Sequence, residues 1–203
     1  MVSSIDYTGK SGVTVKMTDG TSVTSDYVIC TLPLGVLKSN SVKFNPALPG
    51  AKAKAIKNLK MGLLNKLFLE FPSVFWNKEA EVLNKVSETK GLWQESYNLY
   101  FYTKKPILLM FTAGTFAKDM EKWSDAEIVA SAMTTLKQIY GNKIPNPTKQ
   151  IVTRWGSDPY SLGSYSYSGV GSKAPTDRLA LAATVADRLF FGGEASSHLY
   201  PAT

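Results

Sequence analysis

Residues 189–203 read LFFGGEASSHLYPAT, an apolar triplet that runs straight into Gly192-Gly193-Glu194. Leu189-Phe190-Phe191 reads as a short buried strand, and the two glycines end it by removing side-chain bulk. A strand that stops this way brings bare backbone and one carboxylate close to a ligand, and Glu194 can accept hydrogen bonds from ligand hydroxyls. Alone, the turn specifies no chemistry, so the neighbouring stretches decide.

Upstream lies RWGSDPYSLGSYSY (154–167), which sets Trp155, Tyr160, Tyr165 and Tyr167 in a loop of Gly and Ser. Aromatic rings among such small neighbours either pin the loop or wall a pocket for a flat ligand. Residues 156–176 read as irregular, with a short helix at Ala180–Ala186. Further back, Ser124 and Glu127 make a capping box, Trp123 and Ile128 a hydrophobic staple, and Gly141 a stop, so a helix is expected over 125–140. Strands are expected at 13–17, 22–31, Lys66–Phe71, Tyr97–Thr103, Ile107–Gly114 and Lys149–Trp155, a helix at 51–59, and a loop from about 76 to 95. Asp19-Gly20 signals a two-residue hairpin turn. The apolar run Tyr27–Cys30 reads as a strand covered on both faces, and Pro33 and Gly35 take the chain out of the sheet. Strands and helices mix without regular alternation, which makes the fold α+β, a mixed β-sheet flanked by helices.

Composition removes several function classes. The 203 residues hold one histidine, His198, so no Ser/His/Asp set can be built around a second. The lone Cys30 makes no internal disulfide and reads as a small buried hydrophobe, and no metal-ligand cluster is spaced along the chain. No phosphate loop and no G-x-G-x-x-G fingerprint occur. The net charge of +7 comes from scattered lysines, so a solvated surface is expected and no nucleic-acid partner. No apolar run of about eighteen residues and no leader pattern are visible, leaving the compartment open, with the cytoplasm or another intracellular space compatible.

Three stretches resist a bland reading: MGLLNKLFLEF (61–71), where Lys66 opens an apolar strand after Gly62, the aromatic loop at 154–167, and the closing Gly-Gly-Glu segment. Together with DYVICTLPLGVLK (26–38), and in this order, they resemble the flavin-containing amine oxidases, polyamine oxidases and lysine-specific histone demethylases above all. The likeness runs through nearly all of the chain. It implies oxidation of an amine C–N bond by FAD to an imine, with dioxygen reduced to hydrogen peroxide.

Residue by residue, the resemblance gives Lys66 the lysine that holds a water near the flavin. Trp155 and Tyr160 match positions packed against the ring, and Tyr165 an aromatic facing the substrate amine. Glu194 matches the carboxylate on the ribityl–pyrophosphate portion, Val2 a valine whose backbone meets the adenine, and Thr31, Leu32 and Pro33 the crossover past the flavin. Thr203 falls where monoamine oxidases carry the second tyrosine of an aromatic sandwich, and a threonine there points to a larger or extended amine.

On this reading, residues 1–36 and 153–203 are pieces of a flavin-binding domain and 37–152 is the substrate domain. The FAD site is then incomplete without an N-terminal FAD-binding segment and a further helix, the fragment alone is inactive, and its apolar strands favour self-association. Two alternatives stay open. One is a non-catalytic protein-binding domain of the same fold. The other is an L-amino-acid oxidase-like enzyme, for which Arg154 or Arg178 would meet a substrate carboxylate.

Overall fold

The computed structural model describes residues 1–9 and 12–201. In chain order the strands and helices are β1 (Val2–Asp6), β2 (Val13–Met17), β3 (Ser22–Ser25), β4 (Val28–Cys30), α1 (Leu34–Ser39), β5 (Lys43–Asn45), α2 (Gly50–Asn58) and β6 (Lys60–Gly62). Then come β7 (Leu64–Glu70), β8 (Val82–Asn84), β9 (Glu95–Asn98), α3 (Leu99–Thr103), β10 (Ile107–Ala113), α4 (Gly114–Met120), α5 (Asp125–Tyr140) and β11 (Lys149–Val152). The chain closes with β12 (Tyr165–Tyr167), α6 (Ala174–Ala182), β13 (Leu189–Phe191) and a 3₁₀ turn at Glu194–Ser196. The fold is α+β, and it divides into two compact units, Met1–Gly62 with Asp158–Thr203, and Leu63–Ser157.

In the first unit a four-stranded sheet runs β3-β2-β1-β5, antiparallel except for the parallel pair β1/β5. Two small ladders accompany it, β4 parallel to β13 and β6 antiparallel to β12. Its core gathers Ile5, Val13, Leu34, Leu37, Ala55, Leu59, Leu181, Leu189 and Phe191. Each fully buried Leu or Ile of this kind contributes about 1.5–3 kcal/mol. Two lysines cap helices from outside them. Lys38 Nζ donates to the carbonyls of Ile56 (2.7 Å), Lys57 (3.1 Å) and Leu59 (2.9 Å) at the end of α2. The buried Lys52 donates to Ala180 and Leu181 at the end of α6, with Nζ 3.8 Å from the Phe191 ring centroid. Both place a cation on carbonyls that lack intrahelical partners.

The second unit is a five-stranded sheet, β11-β7-β10-β9-β8, antiparallel throughout. Leu67, Leu69, Leu108 and Met110 point from one face into a core completed by Ile128, Ala132, Met133 and Leu136 of α5. The helix takes its expected bounds, with Ser124 and Glu127 closing the capping box.

Several local expectations change. The mixed pairing expected within 37–152 belongs to the first unit's sheet instead. The segment 37–62 also goes there, because β5 pairs with β1 and Lys52 of α2 reaches α6; the boundaries fall at 62/63 and 157/158. The turn after β2 has three residues, Thr18–Gly20, with Met17 N–H donating to Thr21 (2.9 Å) and Gly20 at φ 87. The expected strand 22–31 splits into β3 and β4, which pair with different partners. Nor is β4 covered on both faces: Ile29 is 71% exposed and Tyr27 63%. The expected strand 97–103 becomes a helix after Asn98, whose side chain accepts from Tyr100 N–H (3.1 Å) and so caps α3. The irregular stretch 156–176 contains β12 and the start of α6. Among the described residues no helix is long and apolar enough to cross a membrane.

Candidate functional site

In the first unit, the parallel strands β4 and β13 end side by side at Cys30 and Phe191, and Gly192 N–H donates to Cys30 O (3.1 Å). Thr31-Leu32-Pro33 and Gly192-Gly193-Glu194 therefore leave the carboxyl ends of two adjacent parallel strands, the place where open α/β sheets bind ligands. Gly193 sits at φ 112, which disfavours any residue with a Cβ. A Cβ on Gly192 would meet nothing closer than Ile29 Cγ2 at 4.0 Å. Nothing in the chain itself forbids a side chain there, so the missing bulk leaves open space beside the strand ends, as a flat or sugar-bearing ligand requires.

Glu194 is held from behind. Ser166 donates to its carboxylate through N–H (3.1 and 3.2 Å) and through Oγ (2.6 Å). Arg178, 2% exposed, donates from Nη1 to Ser166 Oγ (2.8 Å) and to Ala195 O (3.1 Å). Tyr165, next to Ser166, lies over Gly62, where a Cβ would come within 2.6 Å of the ring. Gly35 of α1 permits a comparable approach, since a Cβ there would sit 2.4 Å from Ser161 O. That backbone contact seats the 161–162 loop against the start of α1. Tyr160 on this loop is 65% exposed, with its N–H bonded to Asp158 (3.0 Å). Val2 opens β1, and the ladder to β5 begins only at Ser4. Thr203 lies outside the described residues.

In the second unit, Lys66 lies on the sheet face turned away from the core, Nζ 5.8 Å from the Phe111 ring centroid. Tyr97 stacks edge-on against Phe111, centroids 5.3 Å apart. Beneath, the fully buried Asn65 bonds through Nδ2 to Glu121 (2.7 Å) and accepts at Oδ1 from Trp155 N–H (3.0 Å) and Thr153 Oγ1 (3.3 Å). Glu121 also accepts from Gly156 N–H (2.8 Å), and Thr153 Oγ1 accepts from Lys66 N–H (2.8 Å). Thus the backbones of Lys66 and Trp155 are tied to one polar node, while the Trp155 side chain stays 38% exposed.

The sequence-predicted residues thus fall into two sets: Thr31, Leu32, Pro33, Tyr160, Tyr165, Glu194 and Val2 in the first unit, Lys66 and Trp155 in the second. Arg154 spends Nη2 on Asp125 (2.6 Å) and Trp123 O (2.8 Å), and Arg178 is buried, so neither guanidinium is presented to a substrate carboxylate. Sequence reasoning missed Ser166, Glu121 and Asn65, and it weighed Arg178 only for a substrate carboxylate, not for the Glu194 cluster. Only Asn65 left a signal, a polar residue in phase with the apolar face of LNKLFLE.

A family model described as "Flavin containing amine oxidoreductase" matches residues 1–203. The chain belongs to this family. Polyamine oxidase 4 of Oryza sativa subsp. japonica is 46% identical over 187 residues, spanning 92% of this chain and 38% of that protein. Lysine-specific histone demethylase 1 homolog 2 of the same organism is 42% identical over 201 residues, 96% of this chain and 26% of that protein. The chain therefore spans between about a quarter and two-fifths of the length of these relatives. Among solved structures, wild-type putrescine oxidase bound to putrescine superposes with a TM-score of 0.77 at 21% identity, over 97% of this chain and 43% of that one. That likeness concerns the fold. The family implies a flavin, and the open strand ends at Gly192-Gly193, with a carboxylate fixed beside them, suit such a group.

Proposed function

We propose that this chain is part of an FAD-dependent amine oxidase that converts a C–N bond of a polyamine-like amine to an imine while dioxygen becomes hydrogen peroxide. The observation that carries the reading is the family match over the whole chain, together with the open ends of β4 and β13 beside Glu194. The names of the relatives support an amine as substrate.

Thr31–Pro33 and Gly192–Glu194 would hold the FAD, with Glu194 accepting from its hydroxyls and the Val2 backbone meeting its adenine. When bound, FAD supplies the two-electron oxidant for the amine and returns the electrons to dioxygen. The chain's own residues orient and protect. Trp155 and Tyr160 supply aromatic walls, Tyr165 faces the amine, and Lys66 Nζ holds a water by hydrogen bonding. Thr203 belongs to this set through the resemblance. The bare face at Tyr27, Ile29 and Phe190 is where an N-terminal FAD-binding segment packs, and left uncovered it favours self-association. On its own the 203-residue chain holds no FAD tightly and does not turn over amines.

The test uses a protein of the relatives' full length that carries these residues, loaded with FAD. Peroxide is measured with spermine, spermidine, tyramine and a methyl-lysine peptide. Lys66→Met slows flavin reduction on the order of 100-fold. Unchanged reduction removes Lys66 from the chemistry, and a purified 203-residue chain with stoichiometric flavin absorbance overturns the incomplete site.

A further inference from the structure

We infer that Glu121 is a positioning residue for the oxidation: by fixing the Asn65 amide it sets where Lys66 and Trp155 leave the backbone. The inference rests on the amine-oxidase reading above and deepens it by adding a residue that acts through those two.

Strand β11 pairs with β7 as far as Val152, opposite Leu67. One residue on, Thr153 N–H still donates to Lys66 O (3.0 Å), but Lys66 N–H donates to the Thr153 hydroxyl (2.8 Å). A side chain has replaced the backbone acceptor, and the chain leaves the ladder there, carrying Trp155 with it. Asn65 Oδ1 takes up both loose ends, accepting from Thr153 Oγ1 (3.3 Å) and from Trp155 N–H (3.0 Å). One oxygen therefore supports the hydroxyl beneath Lys66 and the amide of Trp155.

An amide can turn over, and Glu121 decides which way this one faces. A carboxylate only accepts, so Asn65 presents Nδ2 to Glu121 Oε1 (2.7 Å) and leaves Oδ1 for Thr153 and Trp155. The same Oε1 accepts from Gly156 N–H (2.8 Å), the residue after Trp155. Gly156 is matched to the carboxylate, since a Cβ there would come 2.9 Å from Oε2 and 3.0 Å from Oε1. Glu121 does not serve its own helix. It caps the C-terminal end of α4, where the helix dipole favours a cation, and spends its carboxylate on Asn65 and the loop. Asn65 is fully buried in phase with Leu67 and Leu69, a position that a leucine fills without the cost of burying an amide. The pair thus holds something other than the core, and what it holds is the exit of Lys66 and Trp155.

Glu121→Ala, Glu121→Gln and Gly156→Ala are made in the FAD-loaded full-length protein, with and without Lys66→Met. Glu121→Ala is expected to slow flavin reduction at saturating spermidine roughly tenfold or more, with KM unchanged. Glu121→Gln keeps an acceptor oxygen and recovers most of the rate. In the Lys66→Met background, Glu121→Ala adds less than about twofold, because the loss passes through Lys66. Flavin fluorescence, quenched by the neighbouring Trp155 ring, lasts longer in Glu121→Ala and not in Glu121→Gln. Gly156→Ala presses on the carboxylate without removing it and gives the same changes to a smaller degree, which keeps the test open if Glu121→Ala does not fold. A full additional loss in the Lys66→Met background, or a lower melting temperature with rate and lifetime intact, overturns the inference while the amine-oxidase reading stands. Glu121→Gln as slow as Glu121→Ala overturns it too, making the charge rather than the placement the cause. If no amine reduces the wild-type flavin, the amine-oxidase reading fails instead. The fluorescence lifetimes then still decide Glu121, equal values in wild type and Glu121→Ala overturning its role.

Discussion

Each unit anchors a loop with a buried polar side chain, and the two do so with different electrostatics. In the second unit Asn65, a neutral amide, gives to Glu121 and accepts from Trp155 and Thr153. In the first, Arg178 brings a full charge inside. Its Nη1 reaches Ser166 and Ala195, its Nε has no partner, and no carboxylate pairs with it directly among the described residues. The charge is connected to Glu194 through the Ser166 hydroxyl. A satisfied amide needs nothing beyond its immediate neighbours. A buried guanidinium is costly to desolvate, and its placement makes sense only with the carboxylate one hydroxyl away.

The sharpest way to break this contrast is at Arg178. Arg178→Ala removes packing, three hydrogen bonds and the charge together, and costs about 3–5 kcal/mol of stability in urea unfolding. Arg178→Met restores much of the volume without the charge. If it matches wild type, the guanidinium contributes only bulk, and the two nodes differ in name alone. A smaller effect is expected at the neutral node, where Asn65→Ala costs about 2 kcal/mol. It should show first as faster hydrogen exchange of the Trp155 and Gly156 amides, both of which lean on that node. Uniform protection loss across the second unit would make the node global rather than local.

The smallest effect is a pH dependence confined to the first unit. Burial pulls the Lys52 ammonium down to about 8 from 10.5. Above pH 8 the unfolded chain keeps that proton while the folded chain releases it, so stability rises with pH there. The gain is cleanest between pH 8 and 9, because burial raises the Cys30 thiol above its ordinary value of 9.0 and works the opposite way beyond. Lys52→Met should abolish the slope. A slope that persists places its origin elsewhere.

Legibility followed the range of the interaction. Helix α5 was readable to the residue because Ser124, Glu127 and Gly141 act within one turn of its ends. The aromatic run after Asn98 was misread as strand because β-propensity lost to a cap that is itself held by Trp76 Nε1 (2.7 Å) and by the carbonyls of Asn77, Lys78 and Ala80. Lys66 stood out as a charge in an apolar strand, yet only the family likeness made it a candidate. Ser166 left no trace and Arg178 was weighed only for a substrate carboxylate, since an ordinary serine and a helical arginine join Glu194 in one cluster only by folding.

The sequence by itself determined the punctuation of this protein. The Gly-Gly-Glu stop, the Pro33–Gly35 exit, the capped helix and the family signature all depend on residues a few positions apart or on their order. Tertiary structure decided the partners. It joined β4 to β13 across some 160 residues, sent 37–62 into the first unit, and gathered Asn65, Glu121 and Trp155 at one node. Register and sheet order are chosen by burial of whole faces, a property of distant segments together that no single stretch carries.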